Sequence, residues 1–134
     1  METLRQIEMA IAYIESNLEN DITVAAVAGS AAYSYFHFAR LFEAFVGESI
    51  GGYIRSRRLS KAAENLLGTD RRSIDIARSL RFESHEACGR AVKRMFQVTP
   101  SQYRKNGIDT LIGRKGPLDA PTLHARQNIS LRPE

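Results

Sequence analysis

The chain has 134 residues, 43% hydrophobic and 25% charged, which suits one or two small globular domains with modest cores. No apolar run approaches a membrane span and no signal peptide opens the chain, so no membrane partner is expected; the lone cysteine, Cys88, excludes an internal disulfide framework and suits a reducing cytosol. The net charge of +4 is unevenly placed: residues 1–34 hold one Arg against five acids, residues 35–105 fourteen Lys or Arg against seven acids, and residues 106–134 four against three. Such a basic segment is the footprint a polyanion requires, although a solvated basic surface reads the same on charge alone.

A first helix is expected over about residues 3–18, where Leu4, Ile7, Ile11, Ile14 and Leu18 share one stripe at helical spacing. Asn20-Asp21 ends it, and Thr23 caps a short second helix that turns Val24, Val27 and Ala28 inward. Ser34 caps a third helix. Its Phe38, Leu41, Phe42 and Phe45 recur at three and four residues and form a buried face, leaving Tyr35, Phe36, Ala39, Arg40 and Glu43 on or near the outside. Gly47 stops this helix and Ser49 caps the fourth.

The fourth helix, about residues 50–67, has early apolar residues (Ile50, Tyr53, Ile54) and late ones (Leu59, Ala62, Ala63, Leu66, Leu67) on different phases. That is the pattern of a helix touching a separate core at each end. At 1.5 Å per residue it spans roughly 27 Å, somewhat under the ~34 Å of one DNA turn. Gly68 closes it. Ser73 caps a fifth helix with Ile74, Ile76, Ala77 and Leu80 available for packing. Ser84 caps a sixth, with Cys88, Ala91, Val92, Met95 and Phe96 inward and His85, Glu86, Gly89, Arg90, Lys93 and Arg94 outward. Pro100 fits the first turn of a short last helix ending near Lys105. From Asn106 the periodicity is lost among glycines and prolines, so 106–134 reads as a linker leading to a C-terminal domain absent from this chain.

The pattern from Val27 to Tyr53 returns, with one inserted residue, from Ile76 to Tyr103. Val27-Ala28 pairs with Ile76-Ala77 and Tyr33-Ser34 with Phe82-Glu83-Ser84; Arg40 then pairs with Arg90, Phe42 with Val92, Phe45 with Met95 and Tyr53 with Tyr103. Each copy is a short helix, a tight turn and a longer helix with an outward arginine, the shape of a helix-turn-helix. The expected fold is therefore all-α: about seven helices in two helix-turn-helix subdomains (about 3–49 and 68–105) joined by the long helix at 50–67, making one domain over 1–105.

The landmarks Tyr33-Ser34, His37-Phe38, Arg40-Leu41-Phe42, Gly47, Tyr53-Ile54-Arg55-Ser56-Arg57-Arg58-Leu59, Ile76-Ala77, Phe82-Glu83-Ser84, Arg90, Lys93-Arg94, Phe96 and Thr99-Pro100-Ser101-Gln102-Tyr103-Arg104 stand in order with the right gaps. Over about residues 3–105 they make the chain resemble the DNA-binding domain of AraC-type transcriptional regulators. It is closest to the Rob-like branch, where that domain is N-terminal and a ligand-sensing domain follows. Arg81, in the second turn where most of the family has glycine, fits that branch. The resemblance implies a DNA-binding regulator of the bacterial nucleoid whose third and sixth helices enter adjacent major-groove segments. It also implies RNA polymerase as a partner, and a small-molecule effector acting through a domain outside this chain. Two reading helices in one chain make a monomer sufficient on DNA.

The resemblance puts Arg40 at a base-contacting position, where an arginine forks onto guanine O6 and N7; a phosphate contact is the alternative. Phe36 stands where relatives carry an aromatic against base edges, with thymine methyl contact open to it and to Ala39; core packing is nearly as plausible for Phe36. In the second copy His85, Glu86 and Arg90 align with groove-facing positions, although an unpaired carboxylate near phosphates is repelled. Backbone contacts are expected from Tyr35, Arg55, Arg57, Arg58, Arg71, Arg72, Arg104 and Lys105, with some of Arg55, Arg57 and Arg58 instead serving as intramolecular partners. Relatives carry aromatics at Cys88 and Val92 and a small hydroxyl at Gly89, so the second subdomain is expected to be looser than the first.

An enzyme is not expected. His37, His85 and His124 lack metal-ligand spacing, no glycine loop precedes a helix in phosphate-cradling form, no cofactor is implied, and Cys88 falls on a core face. The remaining alternative is a helix-turn-helix protein-interaction module without direct DNA binding.

Overall fold

The computed structural model describes residues 2–29 and 34–107. The first turn, around Tyr33, and the expected linker beyond Gly107 lie outside the described residues. Seven helices and no strand occupy the described chain: α1 Glu2–Ser16, α2 Val24–Ala28, α3 Tyr35–Val46, α4 Ile50–Gly68, α5 Ser73–Ser79, α6 His85–Phe96 and α7 Pro100–Asn106. None is long and apolar enough to cross a membrane.

The helix starts follow from side-chain oxygens that take up otherwise orphaned N–H groups. Thr23 Oγ1 accepts from the Ala26 amide at 3.0 Å, Ser34 Oγ from His37 at 3.1 Å, Ser49 Oγ from Gly52 at 3.0 Å and Ser84 Oγ from Ala87 at 2.9 Å. Thr99 and Gln102 form a reciprocal capping box ahead of α7, with Pro100 in its first turn. One expected cap is displaced. Arg72, not Ser73, occupies the N-cap of α5 and makes no side-chain capping bond; its guanidinium turns to Asp75.

The chain divides into two packed units. One takes α1–α3 and α4 through Ile54, and the other takes Leu18–Asp21 and the described chain from Arg55 onward. In the first, Ile7, Ile14, Phe38, Phe42, Val46, Ile50 and Tyr53 are buried, and the Phe42 ring meets Tyr53 edge-on with centroids 5.8 Å apart. In the second, Ala62, Ala63, Leu66, Ile76, Leu80, Cys88, Val92, Phe96 and Tyr103 are buried, with Phe96 and Tyr103 ring centroids 4.6 Å apart. Each fully buried large side chain contributes about 1.5–3 kcal/mol relative to exposure. The two phases of α4 thus serve two cores, its first turns in one and its remainder in the other.

Three inward assignments need adjusting. Met95 is 44% exposed, and Leu41 and Phe45 are only half-buried; Val46, one step further round α3, lies fully in the core. Positions four, eight and twelve after the cap (Phe38, Phe42 and Val46; Cys88, Val92 and Phe96) are buried in both copies, and position eleven lies on the flank.

Candidate nucleic-acid interface

α3 and α6 are twelve residues each and superpose in sequence at an offset of fifty. Ser34 and Ser84 cap them, Gly47 and Gln97 end them in the left-handed region at φ 91° and 68°, and Ser49 and Thr99 cap the helices that follow. Burying the same three positions forces the same opposite face outward. On α3 that face presents Tyr35, Phe36, Arg40, Glu43 and Ala44, with Ala39 half-buried; on α6 it presents His85, Glu86, Arg90, Lys93 and Arg94, with Gly89 half-buried. All six base-reading candidates therefore lie on or beside these two faces.

The faces differ in chemistry. Phe36 is 70% exposed, and its ring meets the exposed Tyr35 ring in a T-shaped pair with centroids 4.9 Å apart. A benzyl group held in water has no folding reason to be there, so core packing does not account for Phe36. Apart from Arg40 and Glu43, the first face is aromatic or small. The equivalent positions on α6 carry an imidazole, a carboxylate and three cations. Lys93 and Arg94 also lie in the last turn of α6, where cations complement the helix dipole.

The arginines assigned to the DNA backbone separate into two groups. Arg55, Arg71, Arg72 and Lys105 are exposed, as is Tyr35. Arg57 is 1% exposed and lies in the core of the second unit, so a backbone contact by Arg57 is ruled out: a buried guanidinium has no path to a phosphate. Arg58 and Arg104 are half-buried and already engaged. Arg58 donates from Nε to the Leu18 carbonyl (3.0 Å) and from Nη2 to that of Asn20 (2.8 Å). Arg104 donates from Nε to the Leu66 carbonyl (2.9 Å), and from Nη2 to those of Thr69 (3.2 Å) and Arg71. In each case the arginine satisfies main-chain carbonyls at a helix end or in the segment just beyond it, which is a structural task. Burial and the neighbouring Arg81 push the Arg58 guanidinium below its ordinary value, opposed by Asp21.

Sequence reasoning missed Arg78, which is exposed on α5 and lines an open groove of about 290 Å³ with Phe82, His85 and Glu86 at the start of α6. Its signal was present, since Arg78 follows the buried pair Ile76-Ala77 and so falls on the outer side of that short helix. The second turn itself is made by Arg81 at φ 65°, with the Phe82 amide donating to the Ala77 carbonyl at 3.0 Å and the Arg81 side chain paired with Asp21.

Cys88 is 5% exposed, and burial pushes its thiol up to about 11, so it is protonated at neutral pH and packs as a small apolar group. Among the described residues no group of three or more His, Cys, Asp or Glu is placed to hold a metal ion.

The protein family described as "Helix-turn-helix domain" matches residues 27–106. Regulatory protein SoxS of Escherichia coli K12 is 36% identical over 98 residues, covering 73% of this chain and 92% of SoxS. Transcriptional regulator Rob of Salmonella typhimurium is 40% identical over 106 residues, covering 79% of this chain but only 37% of Rob, so the chain spans little more than a third of that relative. Among solved structures, the C-terminal domain of AraT, a response regulator from Geobacillus stearothermophilus, matches with a TM-score of 0.68 at 27% identity, over 75% of this chain and 84% of that domain. Two capped helix-turn-helix copies in register, a family match over most of the described chain and a relative matched nearly end to end lead to one conclusion: the chain belongs to the AraC-type helix-turn-helix family of DNA-binding domains.

Proposed function

We propose that this chain binds double-stranded DNA in a sequence-specific manner and regulates transcription, with α3 and α6 entering adjacent major-groove segments of one asymmetric site. The observation that carries the reading is the pair Arg40 and Arg90, both exposed and both six residues after a serine cap on equivalent helices. Each reads guanine through its two parallel N–H donors. Phe36 and Ala39 contact thymine methyl groups. His85 and Glu86 read the second segment, Glu86 by accepting from cytosine N4. Tyr35, Arg55, Arg71, Arg72 and Lys105 position the protein on phosphates and set its register. One molecule carries both reading helices and acts as a monomer on its site.

Selection of bound fragments from a genomic pool, at a stated salt concentration, tests the reading. A recurrent sequence is expected, with affinity falling steeply as salt rises. Arg40→Ala should relax preference at one base position, at a cost of about 1–3 kcal/mol for the selected duplex and little for a random one. Binding without any sequence preference would overturn the proposal and favour a protein-interaction role.

A further inference from the structure

Asp75 stands in the first turn of α5 with three arginines around it. Its Oδ2 accepts from Arg72 Nε at 3.1 Å, and its Oδ1 lies 4.0 Å from Arg78 Nη1. The Arg72 and Arg78 side chains are 77% and 75% exposed, whereas the carboxylate between them is 38% exposed. The hydrogen bond from Arg72 holds the Asp75 carboxyl below its ordinary range, with the charges of Arg72, Arg78 and Arg71 acting in the same direction against a smaller desolvation effect. Exposed pairs at this spacing contribute little to folding. The consequence of the arrangement therefore lies in what the two guanidiniums are free to bind.

Arg78 lines the groove beside His85 and Glu86, so a guanidinium within ion-pair range of Asp75 sits at the edge of the helix proposed to enter DNA. A phosphate approaching Arg72 or Arg78 offers them the same kind of oxyanion that Asp75 already supplies. A phosphate that takes the Arg72 Nε donor must displace the carboxylate, and one that takes any other donor of the two guanidiniums comes to lie close to that carboxylate, which repels it. Fewer counterions are then released per molecule bound, and the part of the attraction that ignores sequence is weakened. Base-edge contacts by Arg40 and Arg90 are untouched, because neither lies in this cluster.

We propose that Asp75 is a specificity-determining residue: an internal anionic competitor that weakens the grip of Arg72 and Arg78 on nucleic-acid phosphates, lowering non-specific affinity more than specific affinity. This rests on the DNA-binding reading above.

The test compares the chain with its Asp75→Asn and Asp75→Glu variants on a selected duplex and on a random duplex across a salt series. Asp75→Asn should raise affinity for random DNA roughly threefold to tenfold at low salt and steepen the dependence of log K on log salt by about one unit, the signature of one more phosphate contact. The ratio of selected to random affinity should fall. Asp75→Glu, which keeps the charge, should stay close to the parent. Asp75→Ser serves as a second neutral variant should Asn disturb the start of α5, which thermal melting reports. Random-duplex affinity and salt slope unchanged, or lowered, in both neutral variants overturn the proposal while leaving the DNA reading intact. Absence of salt-dependent duplex binding by the parent chain overturns both.

Discussion

Arg81 shows how one side chain can oppose its own backbone. It sits at φ 65°, a conformation that costs a non-glycine residue about 1–2 kcal/mol, while its guanidinium pairs with Asp21, whose side chain is 85% exposed. A pair that exposed returns about 0–1 kcal/mol and is screened by salt. Replacing Arg81 by alanine loses the pair and keeps the strain; replacing it by glycine loses the pair and relieves the strain. Chemical denaturation should therefore rank Arg81→Gly above Arg81→Ala by about 1 kcal/mol, with the alanine variant approaching the parent at high salt, where the pair is screened and the strain remains. Equal stabilities of the two variants would show that the turn carries no strain. The departure at Arg81 was legible because most of the family has glycine there. What was not legible is which arginines the fold consumes. Some of Arg55, Arg57 and Arg58 were expected to serve inside the fold, but the sequence did not say which, and Arg104 read only as a backbone-contacting cation; the main-chain carbonyls that Arg58 and Arg104 reach depend on tertiary placement.

The elements themselves were largely written in the chain, because caps and buried stripes repeat at the same offsets. Ser34, Ser49, Ser84 and Pro100 mark their helices as expected, and Phe38, Phe42, Cys88, Val92 and Phe96 are buried as the 3.6-residue period expects, whereas Val46 was not among the expected core positions. Errors fall where period and packing part company. Met95 has the right spacing for the core yet lies on the flank, and Ser73 has the right chemistry for a cap yet sits one residue inside α5. Within α6, Gly89 is a further weak point: a Cβ built there meets nothing within 4 Å and the backbone is helical. Gly89→Ala should stabilise the second unit by about 1 kcal/mol, read as a higher melting temperature or as slower amide exchange in α6. No gain in either measurement would mean that α6 is not loosened by its glycine, against the expectation of a looser second subdomain. A simultaneous loss of DNA affinity would mark this bare stretch of helix as a place where the duplex comes close.

Across the whole molecule the outward faces of α3 and α6 belong to oppositely charged halves. Residues 1–54 carry two Lys or Arg against seven acids, and residues 55–107 carry thirteen against five. On the proposed reading, attraction to the duplex at long range comes from the second half, and discrimination by the largely uncharged face of α3 comes from contacts that salt hardly touches. Replacing Lys93 or Lys105 by glutamine should weaken selected and random duplexes alike and reduce the salt slope by about one unit each, whereas Arg40→Ala should leave the slope almost unchanged. A slope governed by Arg40 would contradict this partition. Finally, α7 sends Arg104 back to Leu66, Thr69 and Arg71, residues that precede the second helix-turn-helix, and seats Tyr103 against Phe96. The last helix thereby stitches the head of its unit to its foot. A fragment trimmed just behind α6 would keep every outward side chain of that helix and still lose the fastening that keeps them in place, so the smallest portable version of this half must run through to Gly107.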